Sequence, residues 1–295
     1  MNLRNIITTA FLLILSVSDA YAQDSAVKKL ANNVYSVNLL HYTSLVVIGD
    51  DDVLITDTAN SYRANLLKNE VKKLTNKPIT KIVLSHEHFD HTGGTEVFPQ
   101  ADIYAQQNIQ ALLELDPLNL LPDHIEYIFD KKMVIDMGTT KVELIHIGAA
   151  DGVAATIVYL PQENIALTAD MYIDHGLSSG IYLTDTNLLG VRKILNMLIK
   201  MDLKHAINVH SASTSLVPLK SMADFLNDLY DEVMSILAST LKKQPSQLVS
   251  QALAISNTLK IPKYKHWPNY QELNSYIRKW PFLLFTEVND EAICF

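Results

Sequence analysis

Short β-like runs alternating with helical segments predict sheets covered by helices, an α/β or α+β architecture. A short apolar run at Ile79–Ser85 reads as a buried strand and leads straight into a cluster of histidines at its carboxyl end. From about Ser221 the pattern turns helical, and no convincing strand follows. With 9 Gly and 10 Pro spread over 295 residues there is little material for long flexible linkers.

In order along the chain, residues 33–57 hold three β-like runs, Asn33–Leu39, Ser44–Ile48 and Val53–Asp57, with Asp50-Asp51-Asp52 turning between the last two. Ser61–Leu74 is helical, with Leu66, Leu67, Val71 and Leu74 on one face. A strand near Ala101–Ala105 precedes helical segments across 107–129. Strands follow at Met133–Asp136, Lys141–Ile147, Thr156–Leu160 and Ile165–Thr168, then a helix at Leu188–Met201 and a strand at Ala206–Val209. Met222, Phe225, Leu226, Leu229, Val233, Ile236 and Leu237 keep helical spacing, the stripe expected of ordinary core packing. The organisation predicted is a leader at 1–22, a main domain at 23–220 and a helical C-terminal extension at 221–295 packed on that domain.

The leader has the three parts of a signal peptide. Arg4 is the positive start, Ile6 to Val17 the apolar stretch, and Ala20-Tyr21-Ala22 an A-x-A cleavage site. Thr8, Thr9 and Ser16 interrupt the apolar run, which is short for a membrane span. The expectation is a periplasmic or secreted protein with no stable membrane anchor after cleavage. Loss of Arg4 and Asp19 with the leader leaves the formal charge at −8. An acidic chain is a poor match for a phosphate backbone, so no nucleic-acid partner is expected and the partner expected is a small-molecule substrate. The single cysteine, Cys294, excludes both an intramolecular disulfide and a site of several thiolates.

The chemistry concentrates in Ser85-His86-Glu87-His88-Phe89-Asp90-His91-Thr92-Gly93-Gly94, where three of the ten histidines and an aspartate fall within six residues. On extended backbone His86 and His88 turn their imidazoles the same way, while Asp90 and His91 offer ligands to a second position. The glycines let the loop bend tightly. Neutral imidazoles with carboxylates suit zinc, and also iron or manganese. Ordinary roles are expected for His41, His124, His205 and His266, which belong to no motif. Trp267, Tyr270 and Trp280 could line a pocket rim, but aromatics in a helical region are usually core, and that is the role expected of them.

The H-x-H-x-D-H pattern after a strand resembles the metallo-β-lactamase superfamily, and the resemblance runs from about residue 30 to 215. It implies an αββα sandwich with the site on one edge of two sheets. "VLITDTA" at 53–59 is similar to the family strand that ends in a supporting aspartate, here Asp57. "NIALTAD" at 164–170 resembles the strand delivering a carboxylate shared by two metals, Asp170, and "AINVHSA" at 206–212 the strand delivering the last histidine, His210. The implied metal set is His86, His88, Asp90, His91, Asp151, Asp170 and His210, for one or two zinc ions, with iron or manganese as alternatives.

One departure matters. Counting back from Tyr159-Leu160-Pro161 puts Asp151 where the family carries a third histidine of the first site, and His146 lies five residues upstream. Three arrangements stay open: Asp151 as ligand, His146 as substitute after a loop shift, or a weak first site in a mononuclear or inactive protein. Asp174 and His175 are expected near the cleft. The resemblance implies hydrolysis of an acyl bond (ester, thioester, lactone or lactam) by a hydroxide held on the metal and oriented by Asp90, with no protein nucleophile. An iron-dependent oxidoreductase on the same scaffold, or a non-catalytic binding protein, are the alternatives.

Overall fold

The computed structural model describes residues 26–116, 119–174 and 176–286. The expected leader at 1–22, His175 and Cys294 lie outside the described residues.

Among the described residues, twelve strands form two sheets. The larger runs in sequence order through β1 (Ala26–Ala31), β2 (Val34–Leu39), β3 (Tyr42–Ile48), β4 (Val53–Thr56), β5 (Ile79–Val83), β6 (Asp102–Gln106) and β7 (Tyr127–Phe129). Its first four strands pair antiparallel, while β4 to β7 pair parallel. The smaller sheet has the order β12-β11-β10-β9-β8, from β8 (Lys132–Asp136), β9 (Lys141–Ile145), β10 (Ile157–Leu160), β11 (Ile165–Thr168) and β12 (His205–Asn208). Of its pairs only β11 with β12 is parallel.

The sheets face each other across a layer that includes Leu45, Leu54, Val83, Leu144, Val158, Leu167 and Ile207. Every residue of β4 and of β11 is buried, because both faces of these strands are covered. Helix α1 (Ser61–Leu74) packs Leu67 and Val71 on the outer face of the large sheet, against a cluster holding Val46, Ile55 and Ile82. Asn60 caps α1 by accepting from the Arg63 N–H at 3.0 Å. The outer face of the small sheet is covered by α4 (Leu188–Ile199), α5 (Leu216–Lys243), α6 (Leu248–Thr258) and α7 (Leu273–Thr286). Phe225, Leu229, Ile277 and Trp280 share one core with Ile157, Ala166 and Ala206 of that sheet. This is the αββα sandwich, with a helical C-terminal region.

Two segments depart from expectation. Helical segments were expected across 107–129, but after a 3₁₀ turn and a single turn, α3 (Gln110–Leu113), the described residues 119–126 form no helix and β7 adds to the sheet. Asn119 sits at φ +57° and Pro122 lacks an N–H, so helical hydrogen bonding cannot run through, and Tyr127-Ile128-Phe129 is β-favouring. Strand β1 was not expected. It is a half-exposed edge with Lys28 and Lys29 in the middle, so it carries no alternating apolar signal.

The topology places the site. Asp57 follows β4, His86 follows β5 and leads into the single turn α2 (Phe89–Thr92), Asp170 follows β11 and His210 follows β12, all at carboxyl ends on one rim of the sandwich. Two parallel pairs, β4 with β5 and β11 with β12, thus deliver their loops to the same edge.

Candidate metal centre

Two groups of donor atoms meet at this rim: His86, His88, Asp151 and Asp170 in one, Asp90, His91 and His210 in the other. In the first, His86 Nε2 lies 2.9 Å from His88 Nδ1 and 3.6 Å from Asp151 Oδ2, which is 3.8 Å from His88 Nδ1. In the second, His91 Nε2 and His210 Nε2 are 3.1 Å apart, and Asp170 Oδ2 is 3.4 Å from the former and 2.9 Å from the latter. Asp90 Oδ2 lies 3.5 Å from His91 Nε2 and 3.8 Å from His210 Nε2. Four ligands at about 2.0–2.2 Å around a tetrahedral cation sit roughly 3.3–3.6 Å from one another, so both groups have metal-ligand spacing. Asp170 belongs to both.

The donor set also fits a cation in its unmet needs. Asp151 Oδ2 and Asp170 Oδ1 are buried acceptors without a hydrogen-bond partner, an expensive state unless a ligand satisfies them. Burial and the charge of Asp170 push the Asp151 carboxyl up to about 7. Asp170 goes the other way: although burial opposes its charge, His91 and His210 hold it well below the usual carboxylate range. Burial also opposes charge on His91, but Asp170 and Asp57 keep its pKa well above the usual value. His86, buried and beside other imidazoles, is pushed well below. A divalent ion would relieve both the crowding of carboxylates and that of imidazoles.

Neighbouring side chains aim these donors. Asp57 accepts from the Ser85 N–H at 2.8 Å and the Ser85 hydroxyl at 2.7 Å, and that hydroxyl lies 2.9 Å from His86 Nδ1. Asp57 Oδ2 is also 3.4 Å from His91 Nδ1, so one aspartate backs a histidine of each group. Asp57 was expected in this role. The buried Arg63 guanidinium fixes the turn behind it, donating to the Asp57 and Tyr42 carbonyls at 2.8 and 3.1 Å. Thr43 ties β3 to the loop after β12, through its N–H to Val209 and its hydroxyl to the Ser211 carbonyl, both 2.6 Å, which sets His210 in place.

Asp151 is held from two sides. Glu87, between the two histidines of the first group, accepts from the Val153 and Ala154 N–H groups at 2.6 and 3.0 Å. Gly152 takes φ +73° there, and a Cβ at that position would stand 2.5 Å from the Glu87 carboxylate. The Thr186 hydroxyl donates to Asp151 Oδ1 at 2.9 Å, which leaves Oδ2 for the cluster. His146 does not join: its Nδ1 lies 2.8 Å from the Ala155 carbonyl, away from both donor groups. The arrangement with His146 as substitute is therefore set aside.

Besides Arg63 and Thr43, four contributors were not singled out from sequence. Asp185 Oδ2 lies 2.6 Å from His88 Nε2, which turns Nδ1 of that ring to the first group. Burial opposes the charge on His88, yet this hydrogen bond and the carboxylates of Asp151 and Asp185 carry its pKa up to about 9. Tyr42 donates to Asp90 Oδ2 at 3.4 Å and rests its ring 4.8 Å from that of His210. Burial and Asp90 push its phenol up to about 12, so it stays a donor. Glu87 and Thr186 are the others. Asp185 and Thr186 sit in an irregular segment braced from the C-terminal helices. Lys279 donates to the Thr184 and Thr186 carbonyls, both at 2.9 Å, the Tyr276 hydroxyl accepts from the Ser178 N–H at 3.1 Å, and Glu272 accepts from the Gly180 N–H at 2.9 Å. Asp174 bonds the Ser211 hydroxyl. Trp280 is fully buried and Trp267 packs against the same core, as expected of them.

The sequence profile of the Metallo-beta-lactamase superfamily matches residues 37–224, well over half of the chain. A 2,4-dinitroanisole O-demethylase subunit alpha from Nocardioides sp. (strain JS1661) is 27% identical over 138 residues, a stretch covering 44% of this chain and only 40% of that relative. A metallo-beta-lactamase from Pontibacter korlensis superposes with a TM-score of 0.59 at 17% identity, over 69% of this chain and 99% of that one. The crystal structure of metallo-beta-lactamase IND-7 superposes with a TM-score of 0.60 at 16% identity, over 70% and 99%. At those identities the structural likeness speaks for the fold alone. The length of the profile match, on a sandwich with its donors at the expected rim, settles the family: this chain belongs to the metallo-beta-lactamase superfamily.

Proposed function

We propose that this protein is a metal-dependent hydrolase that opens an acyl bond in a small molecule, an ester, thioester, lactone or lactam. One observation carries the reading. Two donor groups joined at Asp170 open onto a cavity of about 620 Å³ whose wall includes His88, Asp90, Asp151, Asp170 and His210. His86, His88 and Asp151 would hold one ion, His91 and His210 with Asp90 the other, and Asp170 would be shared. Bound there, zinc ions would lower the pKa of a water to about 7 and polarise a carbonyl.

The chain's own groups do the rest. Asp90, held at Oδ2 by Tyr42 and facing the cavity, would orient the attacking water and take its proton on the carboxylate oxygen that does not hold the ion, passing it to the leaving group. Asp57 and Ser85 hold the His86 ring so that Nε2 faces the ion position, and Asp185 does the same for His88 Nδ1. No protein nucleophile is needed, and Ser211 is engaged with Asp174. Export to the periplasm or the exterior belongs to the same reading, supported by the leader at Arg4–Ala22.

The test is turnover of chromogenic ester, thioester, lactone and lactam substrates by the purified protein. Activity abolished by a chelator and restored by Zn²⁺ is the expected result. A metal-loaded protein that cleaves none of them overturns the reading. A second reading is favoured by the donor set itself: two imidazoles and one carboxylate also suit iron(II). The partial relative named as an O-demethylase subunit makes a methyl aryl ether the substrate to try beside it. Bound iron with oxygen consumption would select this second reading.

A further inference from the structure

We infer that the site selects neutral substrates carrying an apolar acyl group, and that Phe89, Ile181 and Tyr182 are the residues that read it. The inference rests on the hydrolase reading for its chemistry, but on independent observations for its direction.

The first observation is charge. Among the described residues lining the cavity there is no Lys or Arg. The carboxylates facing it are Asp90, Asp151, Asp170 and Asp185. Asp90, Asp151 and Asp170 would offset most of the charge of two divalent cations, Asp185 is engaged with His88, and no lysine or arginine of the lining attracts or orients an anionic substrate. An acidic acyl chain, a phosphoester or a lactam with a carboxylate would meet carboxylates at close range and no guanidinium or ammonium to pair with.

The second observation is the mouth. Phe89 stands between His88 and Asp90, and its side chain is 62% exposed. Ile181 and Tyr182 lie on the 3₁₀ turn Gly180–Leu183 and are 74% and 75% exposed. All three line the same cavity, with Tyr172, Ile173 and Leu183 behind them. Large apolar side chains grouped at the entrance of a pocket mark a binding surface more than a packing accident. Ile181 and Tyr182 are kept from folding inward because their turn is anchored at both ends: Ser178 and Gly180 are bonded to Tyr276 and Glu272, and Thr184 and Thr186 to Lys279. The backbone of the mouth is thus pre-organised by the C-terminal helices. An alkyl or aryl chain attached to the reacting carbonyl carbon would move from water onto this apolar wall, at a gain of roughly 0.8 kcal/mol per fully buried methylene.

The experiment is a series of p-nitrophenyl esters with acyl chains from acetyl to octanoyl, plus the anionic succinyl ester, on the zinc-loaded full-length protein. Expected is a rise in kcat/KM of about two- to fourfold per methylene until the wall is covered, the factor that partial to full burial implies. The succinyl ester is expected to fall below the neutral ester of equal length. Ile181→Ser and Tyr182→Ser, at exposed positions where folding is not at stake, should lose more on octanoyl than on acetyl ester. A flat or falling dependence on length, or preference for the succinyl ester, overturns the inference. If none of the ester, thioester, lactone and lactam substrates is cleaved, the hydrolase reading fails by itself. Binding of straight-chain methyl ketones, measured calorimetrically on the same protein, then decides: affinity rising with chain length and weakened by Tyr182→Ser upholds the apolar mouth, and affinity independent of length refutes it.

Discussion

Asp185→Asn isolates what the irregular segment contributes to the metal centre. The carboxylate lies 2.6 Å from His88 Nε2, a charge-assisted contact that fixes which ring nitrogen faces the first donor group. The replacement keeps the shape and an acceptor oxygen but removes the charge. Losing an outer partner of a metal-ligating histidine costs about 10–100-fold in metal affinity. Asp185 has a side chain 53% exposed, so solvent screens part of its effect and the lower end applies, about tenfold, or ~1.4 kcal/mol. The assay is competition with a chromophoric chelator, titrating Zn²⁺ into stripped wild-type and variant proteins. Weakening confined to one of two binding events is the expected outcome. Equal affinities for both events in both proteins would show that Asp185 does not orient His88, and would undo the account of the first group.

Other consequences follow from the same contacts. Gly152→Ala would force a side chain to φ +73° and against the Glu87 carboxylate; the expected cost is ~1–3 kcal/mol in denaturant unfolding. In metal-free protein the Asp151 carboxyl has a folded pKa of about 7, raised from 3.8. Its contribution to stability is therefore fully present below about pH 4 and lost as pH rises towards 7; Asp151→Asn should flatten that part of the stability profile, and added metal should reverse its sign. Lys279→Ala removes the donor shared by the Thr184 and Thr186 carbonyls. About 1–2 kcal/mol should be lost, and limited proteolysis should cut faster near 176–187.

What the sequence made legible was the local part of this site. His86, His88, Asp90 and His91 lie in one loop after one buried strand, so spacing alone announces them. Asp170 and His210, each just past a short apolar strand, were found only because those strands resemble the family's ligand-bearing strands. Asp151 was reachable only by counting back through β10, since its neighbours Ala150, Gly152 and Val153 carry no ligand chemistry. Asp185 and Thr186 left no mark. They sit in a segment without helical or strand period, and their roles depend on contacts with α7 some ninety residues on. Tyr42 reads as one more aromatic at the start of a strand until the fold brings it to Asp90, 48 positions away. Glu87 hides for the opposite reason. It lies inside the motif, where only the three-dimensional structure shows it holding the Asp151 loop instead of facing the metals. The two strand errors share a physical cause, because β1 and β7 are edges whose pairing, not their own apolar pattern, makes them strands.

The claim on which all of this depends is that Asp151 completes a first cation site beside a second one, with Asp170 between them. Elemental analysis of purified protein, with Asp151→Ala and Asp151→His measured alongside, tests it most directly. Two divalent ions per chain are expected in the wild type, one in Asp151→Ala, and two again in Asp151→His. An unchanged metal content across all three, or no bound metal in any, would contradict it.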